Sequence, residues 1–106
     1  MEITFVKIEV LLPEEYVVRL RDQLNESGFL TVGNYDHVIS YSRVKGYWRP
    51  LSNSSPFNGI SGEVSHGTEC KMEFRCLYED LEEVKTIIKR IHPYEEPIIN
   101  AIPLLN

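Results

Sequence analysis

Long apolar runs are missing from this 106-residue chain, and so is any excess of positive charge. No stretch approaches the roughly 20 apolar residues that span a bilayer. The opening MEITFVKIEV has no basic segment before an apolar one, the pattern of an export signal. Eleven Lys and Arg against sixteen Asp and Glu leave a net charge of −5, so no general basic field attracts nucleic acid or anionic lipid. The expected location is the cytoplasm, with neither nucleic acid nor membrane as a partner. Cysteine is scarce: Cys70 and Cys76 lie six apart in one extended segment, about 20 Å along a strand and beyond disulfide reach. Two buried thiols in a reducing compartment are expected. There is no Gly-rich phosphate loop, no G-x-S-x-G and no Cys/His nucleophile pattern, so an enzyme is not expected.

What is present describes an ordinary soluble domain, 42% hydrophobic and 25% charged. One domain over residues 1–106 fits this length, and such a chain buries roughly two-thirds of its unfolded surface. ITFVKIEVLL (3–12) alternates, with Val6, Ile8, Val10 and Leu12 on one face and Lys7 and Glu9 on the other, the period of a half-buried strand. Pro13 suits the first turn of a helix, and Glu14 and Glu15 complement its positive end. Val17, Leu20 and Leu24 form the buried stripe, and Gly28 is placed to end the helix in the left-handed conformation. Tyr35 to Tyr41 alternates as a second strand, which Val44 to Trp48 either continues or answers as a hairpin arm. LSNSSPFNGISGE (51–63) is turns and loop. ECKMEFRCL, from Glu69, turns Cys70, Met72, Phe74 and Cys76 inward. YEDLEEVKTIIKRIH then sets Leu81, Val84, Ile87, Ile88 and Ile91 at helical spacing, acids first and bases last. PIINAIPL (97–104) is a closing strand, and Pro103 puts it at a sheet edge or at its own end.

The order predicts an α+β fold: a ferredoxin-like βαββαβ sandwich with a long excursion between strands 2 and 3. Strand 1 also carries Ile3, Phe5 and Leu11 on its second side. The open sheet face then needs cover, and self-association supplies it, so a homo-oligomer is expected.

GNYDH (33–37), GYWRP (46–50), PFNGISGE (56–63) and HPYEEP (92–97) occur in that order. Together they resemble the domain inserted into YqfO-type members of the NGG-interacting-factor family. HPYEEP followed by IINAIPL is also similar to the carboxyl end of the CutA divalent-cation-tolerance proteins. Both groups have PII-like ferredoxin folds, so the resemblance implies a PII/CutA-like trimer built through its sheets. In the YqfO-type proteins a larger fold holds a pair of metal ions. None of that part is seen here, so the resemblance implies an inserted domain on its own, without two-metal hydrolase chemistry.

HPYEEP admits two readings. Pro93 ends the preceding helix, leaving His92 to meet the last carbonyls and Tyr94 to pack at a seam between copies. Alternatively His92, Glu95 and Glu96 ligate a divalent metal cation, the one cofactor to consider. The excursion is likewise either a solvated hairpin anchored by Trp48 or a grip for a ligand. Arg43, Lys45 and Arg49 interleave there with Tyr41, Tyr47 and Trp48. The expected ligand contacts are Tyr35, His37, Trp48, Arg49 and Tyr94. His37 is placed either in the core or in a cleft near HPYEEP, and His66 in an exposed turn. Three functions follow. The first is a non-catalytic oligomeric module binding a small ligand, a divalent cation or a partner protein. The second is an interaction module docking on a separate metal-dependent enzyme. In the third, His92 and Glu95 act as acid and base.

Overall fold

The computed structural model describes residues 2–106. Its elements are β1 (Phe5–Leu12), α1 (Val17–Glu26), β2 (Ser40–Trp48), β3 (Ser65–Leu77), α2 (Leu81–Ile91) and β4 (Ile99–Pro103), with a short 3-10 turn leading into each helix. The strands form one antiparallel sheet in the order β2-β3-β1-β4. This is the expected ferredoxin-like βαββαβ sandwich, and residues 49–64 form the excursion between strands 2 and 3. No helix among the described residues is long and apolar enough to cross a membrane.

The alternation read in β1 is realised residue by residue: Val6, Ile8, Val10 and Leu12 are buried, and the residues between them are half-buried. Cys70, Met72, Phe74 and Cys76 of β3 join them, opposite Val17, Leu20 and Leu24 of α1 and Val84, Ile87, Ile88 and Ile91 of α2. Both cysteines are free. Helix α1 stops where expected. Gly28 takes φ +83°, its N–H donates to the Asn25 carbonyl and the Phe29 N–H to that of Leu24. Those two bonds form a Schellman cap. Strand β4 lies at the sheet edge with Pro103 as its last residue, where a missing N–H breaks no ladder.

The second strand departs from the sequence reading. It starts at Ser40, not Tyr35, because Gly33 and His37 have φ of +59° and +57° and cannot sit in a strand. Val32 and Tyr35 instead close a tight turn through two mutual backbone hydrogen bonds. From Ser40 the strand runs unbroken to Trp48, so Val44 to Trp48 continue it. Strand β3 begins at Ser65, four residues before the expected Glu69, which places His66 on a strand beside Tyr47 and not in a turn.

The face of the sheet away from the helices carries Phe5 and Leu11, half-buried, and an ionic row. Lys7 lies 3.2 Å from Glu9 and 3.5 Å from Glu73, and Lys71 lies 3.6 Å from Glu73. The Arg75 guanidinium stands 4.4 Å from the centre of the Phe5 ring. One feature of register positions the site. Leu12 pairs with Cys70 at the end of β1, whereas β2 and β3 stay paired on to Trp48 and Ser65. Residues 65–69 therefore project beyond β1 as half of a two-stranded ribbon. Such a ribbon is marginal by itself, and the loop at its end folds back onto the body.

Candidate functional site

Trp48 closes the ribbon on the same face as Gly46, Gly67 and Glu69. Gly46 pairs directly with Gly67, so the ribbon has no side chains at this point. The Trp48 ring fills part of the gap, 3.4 Å from where a Cβ on Gly67 would lie. Its indole N–H donates to the Asn58 carbonyl at 2.9 Å. Gly59 makes that bond possible. It has φ +106°, and a Cβ there would come within 2.8 Å of the Trp48 nitrogen. Pro50 is buried beneath, and its carbonyl accepts the Gly62 N–H at 2.7 Å. GYWRP and PFNGISGE are thus two halves of one folded loop.

Phe57 returns the loop to the body. Its ring packs edge-on to Tyr16 at 6.3 Å and lies 5.8 Å from Tyr94, centre to centre. The neighbouring Ser55 N–H donates to a Glu95 carboxylate oxygen at 2.8 Å. A bond forty residues apart in sequence so ties the excursion to HPYEEP.

Within HPYEEP, His92 is buried just past the end of α2. Its Nε2–H donates to the Leu11 carbonyl, and its Nδ1 accepts the Tyr94 N–H at 3.2 Å. Those partners define the neutral imidazole with its proton on Nε2. Burial pushes its pKa below the ordinary 6.5, against the opposing pull of the Leu11 carbonyl and the Glu69 carboxylate. Tyr94 packs 4.7 Å from the His92 ring and donates its hydroxyl proton to Glu69 at 2.7 Å. Burial first, and then Glu69, hold that phenol well above its usual 10.

Between loop and body lies a groove of about 580 Å³. Trp48, Tyr47, Phe57, Tyr94, Leu11 and Ile98 provide most of its apolar wall, and Glu69, Glu95, Glu96 and Arg49 its charges. Five of the expected ligand and metal contacts meet here: Trp48, Arg49, Tyr94, Glu95 and Glu96. His92 stands behind the wall with both ring nitrogens engaged. His92 is therefore set apart from Glu95 and Glu96, and no group of three or more His, Cys, Asp or Glu that could hold a metal ion occurs among the described residues.

Tyr35 and His37 lie elsewhere, and their placement corrects the sequence reading. His37 is exposed, neither in the core nor near HPYEEP. Its N–H donates to Asn25 Oδ1 at 2.7 Å, and its ring nitrogens face Asp36 at 2.8 Å and Asp22 at 3.8 Å. Tyr35 is 76% exposed in its turn. The groove lies at the opposite end of β2, roughly 27 Å away at the usual strand rise. Glu69, Phe57 and Gly59 were missed. The signal for Glu69 was its outward place in the β3 alternation; for Gly59 it was the N-G step that sequence marks only as a turn.

Against known proteins, the model of the CutA1 divalent ion tolerance protein family matches residues 57–106. A GTP cyclohydrolase 1 type 2 homolog of Staphylococcus epidermidis is 32% identical over 100 residues, covering 94% of this chain and 27% of that protein. The chain spans about a quarter of the length of the curated relatives it matches (27%). A Bacillus cereus protein related to NIF3 superposes with a TM-score of 0.83 at 24% identity, over 98% of this chain and 26% of that one. The periplasmic divalent cation tolerance protein CutA from Archaeoglobus fulgidus superposes with a TM-score of 0.73 at 21% identity, over 96% and 85%. The chain shares its fold with these solved structures, and the match to the CutA1 family model is confined to its second half.

Proposed function

We propose that this chain is a non-catalytic, self-associating binding module whose ligand occupies the groove between the excursion and HPYEEP. The observation that carries this reading is convergence. HPYEEP is far in sequence from the excursion that carries GYWRP and PFNGISGE, yet all three supply structural ties and wall residues to one concave site. Its volume falls within the ~300–1,000 Å³ typical of small-molecule sites. His92, held neutral between two backbone groups, positions Tyr94 and has no free nitrogen for acid–base work.

For a divalent cation, the oxygens on offer are those of Glu95 and Glu96, hard donors suited to such ions. His92 would join them only by giving up Leu11 or Tyr94. Self-association as a trimer is supported by the PII/CutA-like fold and by the half-buried Phe5 and Leu11 on the open face. Two free buried thiols suit a reducing compartment such as the cytoplasm. Thermal-shift titrations with divalent ions, nucleotides and small organic ions, alongside light scattering, test the proposal. A monomer stabilised by none of them contradicts it.

One observation favours a second reading. Leu51, Ile60 and Val64 are more than 60% exposed on the excursion. The matched relatives carry this segment within chains about three and a half times as long. In this reading the domain docks on a separate metal-dependent enzyme. Its signature is a stable complex with such an enzyme, abolished by Leu51→Asp and Ile60→Asp and indifferent to groove substitutions.

A further inference from the structure

The geometry points to an organic monocation as the occupant of this groove: a protonated amine on a flat apolar body. The inference rests on the groove reading above and names the chemistry of the ligand. Three aromatic residues, Trp48, Phe57 and Tyr94, line the site from the loop and from HPYEEP. An aromatic wall attracts a cation through the negative faces of its rings, by about 0.5–2 kcal/mol according to how dry the contact is.

Charge selects the sign. Glu69, Glu95 and Glu96 face one guanidinium, Arg49, and none of these four pairs with an opposite charge among the described residues. Glu69 is the committing group because it is half-buried, where a charge is screened least. One of its oxygens accepts the Tyr94 hydroxyl. The other, Oε1, lies 3.7 Å from where a Cβ on Gly46 would stand, over the bare Gly46–Gly67 pair. An ammonium group above that pair would donate to Oε1 while its apolar body lay against Trp48 and Tyr94.

Other occupants fit less well. An anion would meet three carboxylates and one exposed arginine. A bare divalent ion would find no cluster of three ligands and gain little from an apolar wall.

Three probes that share a phenyl-ethyl body and differ in charge test this: phenethylamine, phenethyl alcohol and 3-phenylpropanoate. Each is titrated into the full chain by calorimetry at neutral pH, with wild type, Glu69→Gln and Trp48→Phe. The amine is expected to bind about tenfold more tightly than the alcohol, and the propanoate more weakly than either. Glu69→Gln should erase the preference for the amine over the alcohol. It keeps an oxygen acceptor for Tyr94, and the fluorescence of Trp48 verifies that the loop is still folded. Trp48→Phe should weaken all three. Equal affinities, a preference for the propanoate, or a preference for the amine that survives Glu69→Gln would each overturn the cationic ligand and leave the groove standing. Binding of none of the three, together with no response in the wider thermal-shift panel, would overturn both.

Discussion

Replacing Gly59 with alanine separates the stability of the loop from the stability of the domain. The new methyl meets two obstacles. At φ +106° the backbone lies where side chains are strained by about 1–3 kcal/mol. The methyl carbon also falls 2.8 Å from the Trp48 indole nitrogen and 3.1 Å from Ser65 Oγ. The indole must move, and its bond to the Asn58 carbonyl, worth about 0.5–1.5 kcal/mol net, is lost. The combined cost is about 2–4 kcal/mol. That load falls on a loop held to the body by the Phe57 contacts and one bond to Glu95. Opening the loop is cheaper than straining it, so the excursion should detach while the core under the helices stays folded. Trp48 is the only tryptophan in the chain and reports on this directly. Gly59→Ala should red-shift its emission and raise its quenching by acrylamide, with the helical circular-dichroism melt little changed. Gly62→Ala is the control, since it shares a positive φ of +83° but has nothing within 4 Å of the new methyl. Its effect should be the strain alone, about 1 kcal/mol, with a wild-type emission spectrum. Identical Trp48 spectra for wild type and Gly59→Ala would refute the account of the loop.

Burial lowers the pKa of His92, so the unfolded chain binds its proton first as pH falls. The stability contributed by the neutral imidazole is complete above about pH 6.5 and declines below it, toward the folded value, by at most about 1.4 kcal/mol per pH unit. The difference in urea midpoint between wild type and His92→Gln should therefore shrink from pH 7.5 toward about pH 5, and a constant difference would count against a buried neutral histidine. Tyr94→Phe removes the hydroxyl that Glu69 accepts. It should cost about 1 kcal/mol in chemical denaturation, because the half-buried carboxylate regains water. Burial pushes the Cys76 thiol up to about 11 and Cys70 upward as well, so neither should react with a disulfide reagent near pH 8 until the domain unfolds. Fast reaction of the folded protein would show that the β3 core face opens.

Elements that bury a single stripe were legible because side-chain period follows directly from backbone geometry. Alternation marked β1 and the inner part of β3, and 3.6-residue spacing marked α1 and α2. Gly28 and Pro103 marked their own positions through a positive φ and a missing N–H. Residues 35–39 misled because alternation describes only side chains. The left-handed backbone at Gly33 and His37 ended any strand there, and for His37 it is supported by the hydrogen bond its N–H donates to Asn25 Oδ1, twelve residues away. The early start of β3 was hidden for a similar reason: Ser65 to Thr68 pair with β2 alone, so no buried stripe announces them.

By itself, then, the sequence determined the order of elements, the core faces and the motifs to watch, since each depends on contacts within a few turns or one strand. Only the tertiary structure decided what the motifs do. Whether His92 ligates a metal or holds a carbonyl depends on Leu11, eighty-one residues away. Whether Glu95 is free or tied depends on Ser55. Long-range partners of this kind are set by how β1, the ribbon and its loop pack together, and no local pattern encodes that.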